Sequence, residues 1–112
     1  MPYGTDTLTQ LQEILGAQNV LTTREDLIAY SFDGTAAMQQ LPGCVAFAQT
    51  TEQVVQVLRL ANATKTPVVT RGSGTGLSGG SLPCPDCIVL CLVKMNRILE
   101  VNDKLACCVL EP

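Results

Sequence analysis

The chain has 112 residues, 46% of them apolar and 15% charged, with seven Lys and Arg against ten Asp and Glu. That much apolar side chain excludes a disordered tail. A net charge of −3, with two Tyr, two Phe and no Trp, argues against a nucleic-acid-binding surface.

The longest strongly apolar run, Cys87 to Val93, falls far short of the ~20 residues a membrane helix needs. The Met-Pro-Tyr-Gly-Thr-Asp start has neither the cationic nor the apolar block of a secretory signal. A soluble, cytoplasmic chain without a transmembrane segment is the expectation. With no histidine, Ser-His-Asp and Cys-His nucleophile systems and His-based zinc sites are excluded.

In chain order, Thr7 and Gln10 form a capping-box pattern, Leu8, Leu11, Ile14 and Leu15 recur at helical spacing, and Gly16 is a natural stop. A second short helix is predicted after Thr23, with Glu25 and Asp26 in its first turn, running to about Tyr30 and Ser31. Residues 33–43 read as a loop broken by Gly34, Pro42 and Gly43. Cys44–Ala48 is a predicted strand. Thr50 with Gln53 caps a helix carrying Val54, Val55, Leu58 and Ala61 on one face, and Pro67–Thr70 is a second strand. Strand, helix, strand of this length is a parallel βαβ unit. Ile88–Val93, Leu99–Asn102 and Ala106–Leu110 are further extended segments. The fold class is therefore α/β (or α+β), a small parallel βαβ sheet with flanking helices. An N-terminal helical segment, residues 1–40, precedes it.

Six cysteines in a chain without a secretion signal are expected to be reduced thiols. Cys84-Pro85-Asp86-Cys87 has C-x-x-C spacing, but there is no second pair to complete a zinc site, and a strand rather than a helix follows. Cys87 and Cys91 fall on one strand face, where cysteine acts as a small apolar residue. The cysteines are read as structural, and no metal site is assigned. A metal or thiol protein built on Cys84, Cys87 and Cys91 is the rival class.

Arg71-Gly-Ser-Gly-Thr-Gly-Leu-Ser-Gly-Gly-Ser81 holds five glycines in eleven residues directly after a strand. Such loops bring backbone N–H groups close to a phosphate. From Gln53 to Pro85 there is no acidic residue, while Arg59, Lys65 and Arg71 are present, which suits a pyrophosphate. Gly74, Gly76 and Gly79 match G-x-G-x-x-G, yet Leu82-Pro83-Cys84-Pro85 forbids the helix a Rossmann fingerprint must open. A Walker loop would require a lysine where Gly80 stands. No catalytic residue is assigned, and Asp33 and Asp86 are read as loop or cap residues.

Pro67-Val-Val-Thr-Arg-Gly-Ser-Gly-Thr-Gly-Leu-Ser-Gly-Gly-Ser-Leu-Pro83 resembles the pyrophosphate loop of the p-cresol methylhydroxylase and vanillyl-alcohol oxidase flavoproteins. Within that group it is most similar to the glycolate oxidases and the FAD-linked D-lactate and D-2-hydroxyglutarate dehydrogenases. The likeness extends to Leu27–Asp33, Thr51–Ala63 and Val93–Val101. It implies FAD held non-covalently by Arg71, Gly72, Ser73, Gly74, Thr75, Gly76, Leu77, Ser78 and Gly79. Some relatives attach FAD through a histidine near the position of Thr75, a bond this chain does not offer. The resemblance also implies that residues 41–112 are the first part of the FAD-binding domain, ending before its second subdomain. The rest would lie in a missing C-terminal part or a partner subunit. The implied parent is a flavin-dependent 2-hydroxy-acid oxidoreductase, with this part not catalytic alone. A stand-alone nucleotide-binding or interaction subunit is the other alternative.

Overall fold

The computed structural model describes residues 5–35 and 37–112. Helix α1 spans Thr5–Leu15 and a 3-10 turn follows at Ala17–Asn19. Strand β1 is Val20–Leu21, helix α2 Arg24–Ile28, strand β2 Cys44–Phe47 and helix α3 Thr51–Thr64. Strands β3 (Val68–Arg71), β4 (Ile88–Cys91), β5 (Ile98–Asn102) and β6 (Cys107–Leu110) complete the order.

The helix ends follow local chemistry. Thr50 accepts the N–H of Gln53 at 3.1 Å, and α3 closes on Lys65 in the left-handed region just before Pro67. Thr23 likewise caps α2, which stops at Ile28, earlier than expected, and passes through turns to Ser31. Gly16 terminates α1 at φ 91° as expected. The start of α1 differs: Thr7 lies inside the helix and is buried, so it is a core-facing residue rather than a cap.

The main sheet has the order β1-β2-β4-β3. β2 and β3 are parallel, as the strand-helix-strand pattern requires, but β4 lies between them and pairs in parallel with both. β2 and β4 are buried on both faces, while β3 at the edge is only partly so. The most apolar strands thus take the centre. β1 adds an antiparallel edge, Val20 against Ala46, making the sheet mixed rather than all parallel. Two residues carry no periodicity, so this strand leaves no mark in the sequence.

Alternation along β2 and β4 separates two cores. Cys44, Ala46, Ile88 and Leu90 face Leu8, Leu11 and Leu15 of α1 and Val57, Leu60 and Ala61 of α3. Val45, Phe47, Val89, Cys87 and Cys91 face Leu27 and Tyr30. Full burial of a side chain such as Leu11 contributes about 1.5–3 kcal/mol.

β5 and β6 form a separate antiparallel hairpin. Its base is clasped by Arg97 and Glu111, 2.7 Å apart, with the Glu111 N–H donating to the Arg97 carbonyl. The radius of gyration is 15.1 Å, against about 13 Å for a compact domain of this length. No residue of the hairpin belongs to either core.

Candidate functional site

Arg71 ends β3 opposite Cys91 at the end of β4, so the glycine-rich loop leaves the sheet at the carboxyl edge of its parallel strands. That is the edge where open α/β sheets take ligands. Residues 72–79 form a continuous, largely exposed stretch above it, while Arg71 itself is buried.

The Arg71 guanidinium, expected to complement phosphate charge, lies beneath the loop and fastens two backbone segments. Nη1 donates to the Phe32 carbonyl at 2.6 Å and Nη2 reaches the Ser73 carbonyl at 3.5 Å. The group also sits 5.1 Å from the Tyr30 ring centroid, a cation–π contact. Its Nε is buried with no partner among the described residues.

The loop's backbone is sorted by polarity. Four of its carbonyls are engaged from the protein side: Gly72 by the Cys91 thiol, Ser73 by Arg71, Gly76 by the Gly34 N–H and Leu77 by the Thr35 hydroxyl, the last two at 2.8 Å. Among the described residues, no N–H from Ser73 to Ser78 donates a hydrogen bond. A run of unpartnered N–H donors in a largely exposed loop that is tethered through four of its carbonyls is an arrangement that suits an anion.

Segment 32–35 does much of this tethering, although in the sequence it reads only as the start of a loop. Asp33 is buried, and its Oδ1 accepts the Thr35 N–H at 2.7 Å. That bond, with the burial of the carboxyl opposing it and the Gly79 N–H adding to it, holds the Asp33 pKa below the usual carboxylate value. Oδ2 has no partner among the described residues. Gly34 lies so close that a Cβ there would meet the carbonyls of Thr75 and Gly76 at 2.7 and 2.8 Å. The one signal in the sequence is the Tyr-Ser-Phe-Asp stretch, whose role depends on residues some forty positions away.

Of the three cations grouped by sequence, only Arg71 reaches the loop. Lys65 closes α3 at the opposite, amino end of β3, and Arg59 is exposed within α3. The structure supplies another cation instead. Lys94, just beyond β4, hydrogen-bonds Asn19 and lies 5.0 Å from the Phe47 ring centroid. Phe47 meets Tyr30 edge-to-face at 5.8 Å, so two rings and two cations line this end of the sheet. Burial raises the Tyr30 pKa and keeps it neutral.

An open groove of about 400 Å³ continues from the loop. Gly72 and Ser73 of the loop, the apolar Leu92 and Met95, and Arg97 and Glu111 at the base of the hairpin are among its lining. It is large enough to take part of a small-molecule ligand.

Residues 42–112 match the FAD binding domain family. The chain belongs to that family. It is 38% identical over 98 residues to glycolate oxidase subunit GlcD of Escherichia coli (strain K12), covering 88% of this chain and 20% of the relative. It is 34% identical over 103 residues to D-2-hydroxyglutarate dehydrogenase of Stutzerimonas stutzeri (strain A1501), covering 90% and 22%. Among solved structures, p-cresol methylhydroxylase with substrate bound aligns at a TM-score of 0.75 and 27% identity, over 87% of this chain and 20% of that one. The chain thus spans about a fifth of the length of the relatives it matches.

This FAD-binding-family chain fits the cofactor by its own geometry as well. Beside the unpartnered amides, a Cβ added at Gly72, Gly76, Gly79 or Gly80 would meet no atom within 4 Å. A bulky anion can therefore approach the backbone directly. No helix among the described residues is long and apolar enough to cross a membrane, and no cluster of three metal-ligating side chains occurs among them.

Proposed function

We propose that this chain holds the FAD pyrophosphate non-covalently on residues 71–79. On this reading it is the first part of a cytoplasmic flavin-dependent oxidoreductase of 2-hydroxy acids of the glycolate or D-lactate type. Residues 41–112 form the opening part of the FAD-binding domain, and the helical segment 1–40 braces it through Phe32, Asp33, Gly34 and Thr35. The observation that carries the reading is the loop whose Gly72, Ser73, Gly76 and Leu77 carbonyls are tethered to the protein and whose Ser73–Ser78 amides are left as donors.

Bound FAD supplies the two-electron acceptor for hydride leaving the hydroxy acid. The loop amides orient the pyrophosphate, Arg71 holds the loop in shape, and the groove beside Gly72 and Ser73 receives a further part of the cofactor. No residue of this chain is assigned a proton-transfer role. Turnover belongs to the remaining part of the protein, whether a continuation of the chain or a partner subunit.

Calorimetric titration of FAD, and of ADP as a pyrophosphate probe, into the chain tests this. Weak saturable binding is expected, because one wall of a pocket leaves most of the ligand in water. Gly76→Val should abolish it, while Arg59→Ala on the exposed face of α3 should leave it unchanged. Equal binding by wild type and Gly76→Val would overturn the assignment.

A further inference from the structure

Cys84 and Cys87 lie outside the loop's machinery and are paired in space. Cys87 N–H donates to the Cys84 carbonyl at 3.3 Å, closing a β-turn with Pro85 at its second position and Asp86 at φ 63°. Such a turn holds its end Cα atoms within about 7 Å, overlapping the roughly 4.4–6.8 Å span of a disulfide. Cys84 is partly buried and packs on the apolar cluster that contains Cys87. Cys87 is fully buried and Cys84 is partly exposed. Cys44 and Cys91 are buried within strands, and Cys107 and Cys108 are consecutive residues on the exposed β6. With no third ligand to make a metal site among the described residues, thiol–disulfide exchange is the chemistry left to the pair.

We propose that Cys84 and Cys87 form an internal dithiol–disulfide couple, oxidised by low-molecular-weight disulfides such as oxidised glutathione. The partly exposed Cys84 thiolate attacks one sulfur of the small disulfide, whose other half leaves and is protonated to a free thiol. Cys87 then gives up its proton and attacks the Cys84 sulfur, expelling the second small thiol. The protein loses two hydrogens and two electrons, and one external disulfide becomes two thiols. Cys87 takes the resolving role because it is screened from solvent, and burial pushes its thiol up to about 11. The turn joins the end of the glycine-rich segment to β4, and the Cys87 carbonyl accepts the N–H groups of Gly43 and Cys44. The couple therefore fixes the segment that carries the loop back into the sheet.

The test equilibrates the reduced full chain with glutathione buffers, traps free thiols by alkylation in denaturant, and maps the peptides. The expected result is a Cys84–Cys87 peptide lighter by two hydrogens, and two fewer titratable thiols than the six of the reduced chain. Cys87→Ser should stop at a glutathione adduct on Cys84, and Cys84→Ser should lose oxidation at Cys87. Wild-type mapping decides the matter even where a variant folds poorly. The proposal is overturned if Cys84 and Cys87 stay alkylated under conditions that oxidise Cys107 or Cys108. A persistent glutathione adduct on wild-type Cys84 would overturn it equally.

Discussion

A Cβ at Gly74 would lie 2.1 Å from Nη2 of Arg71, so the buried guanidinium occupies the space any larger residue at that position would need. Gly74 also has φ 73°, a left-handed conformation that L side chains rarely adopt. Gly74→Ala should therefore displace Arg71 from Phe32 and Ser73 and strain the backbone together. We expect a loss of about 1–3 kcal/mol of stability in urea unfolding, with weaker FAD binding. Gly76→Ala is the counterpart, because its Cβ meets nothing within 4 Å. Its stability should change by no more than about 0.5 kcal/mol while FAD affinity falls. Equal stability of the two variants would contradict this division between packing and ligand-facing glycines.

Gly34→Ala attacks the same loop from the other side. The added methyl would press on the carbonyls of Thr75 and Gly76 at 2.7 and 2.8 Å, both backbone atoms that cannot swing aside. The Gly34 N–H bond to Gly76 should be lost as the segments part. Destabilisation of about 1–3 kcal/mol is expected, with faster amide exchange or proteolysis confined first to residues 72–80. A variant with unchanged melting and unchanged loop protection would show that segment 32–35 does not brace the loop.

Those two glycines mark the boundary of what the sequence discloses. The existence of helix α3, its Thr50 cap and the strands flanking it follow from local pattern and capping, although its buried face is Val57, Leu60 and Ala61 with Val54 beside them, and Leu58, expected on that face, is exposed; the glycine density between Arg71 and Ser81 singles out the loop. The insertion of β4 between β2 and β3 does not, because strand order is set by which segment buries both faces. Arg71 to Phe32 and Thr35 to Leu77 join residues 39 and 42 apart, leaving no pattern within any one segment. For the same reason Arg59 and Lys65 look close to the loop in sequence, while Lys94 is the cation that α/β topology brings to the sheet's carboxyl edge.

Acid should loosen the brace. The Thr35 N–H holds the Asp33 carboxyl below its ordinary value of 3.8, so the unfolded chain takes up that proton at higher pH than the folded one. The resulting stabilisation is complete above the unfolded value and is lost as pH falls through the lower folded value. Glu111, lowered by the Arg97 side chain, adds a loss in the same acidic window. Urea midpoints followed from neutral pH down through the carboxylate range should fall, and less steeply in Asp33→Asn and in Glu111→Gln. An identical acid profile in Asp33→Asn would remove the buried carboxyl from the account of stability.

The hairpin predicts association. Ile98 and Val101 are 69–70% exposed, Leu99, Val109 and Leu110 are also exposed on the same two strands, and Leu105 is exposed in the turn between them; among the described residues the two strands pair only with each other. Unpaired strand edges combined with a contiguous apolar surface promote pairing with another chain. The isolated chain should therefore sediment as a concentration-dependent mixture of species rather than as a single monomer. Replacing Ile98 and Val101 together by Lys should shift it to monomer, because lysine on an exposed edge opposes pairing. The substitutions lie outside both cores, so thermal unfolding of the main sheet should be unchanged. Wild-type chain that remains monomeric at every concentration would mean that the hairpin's apolar side chains do not drive assembly.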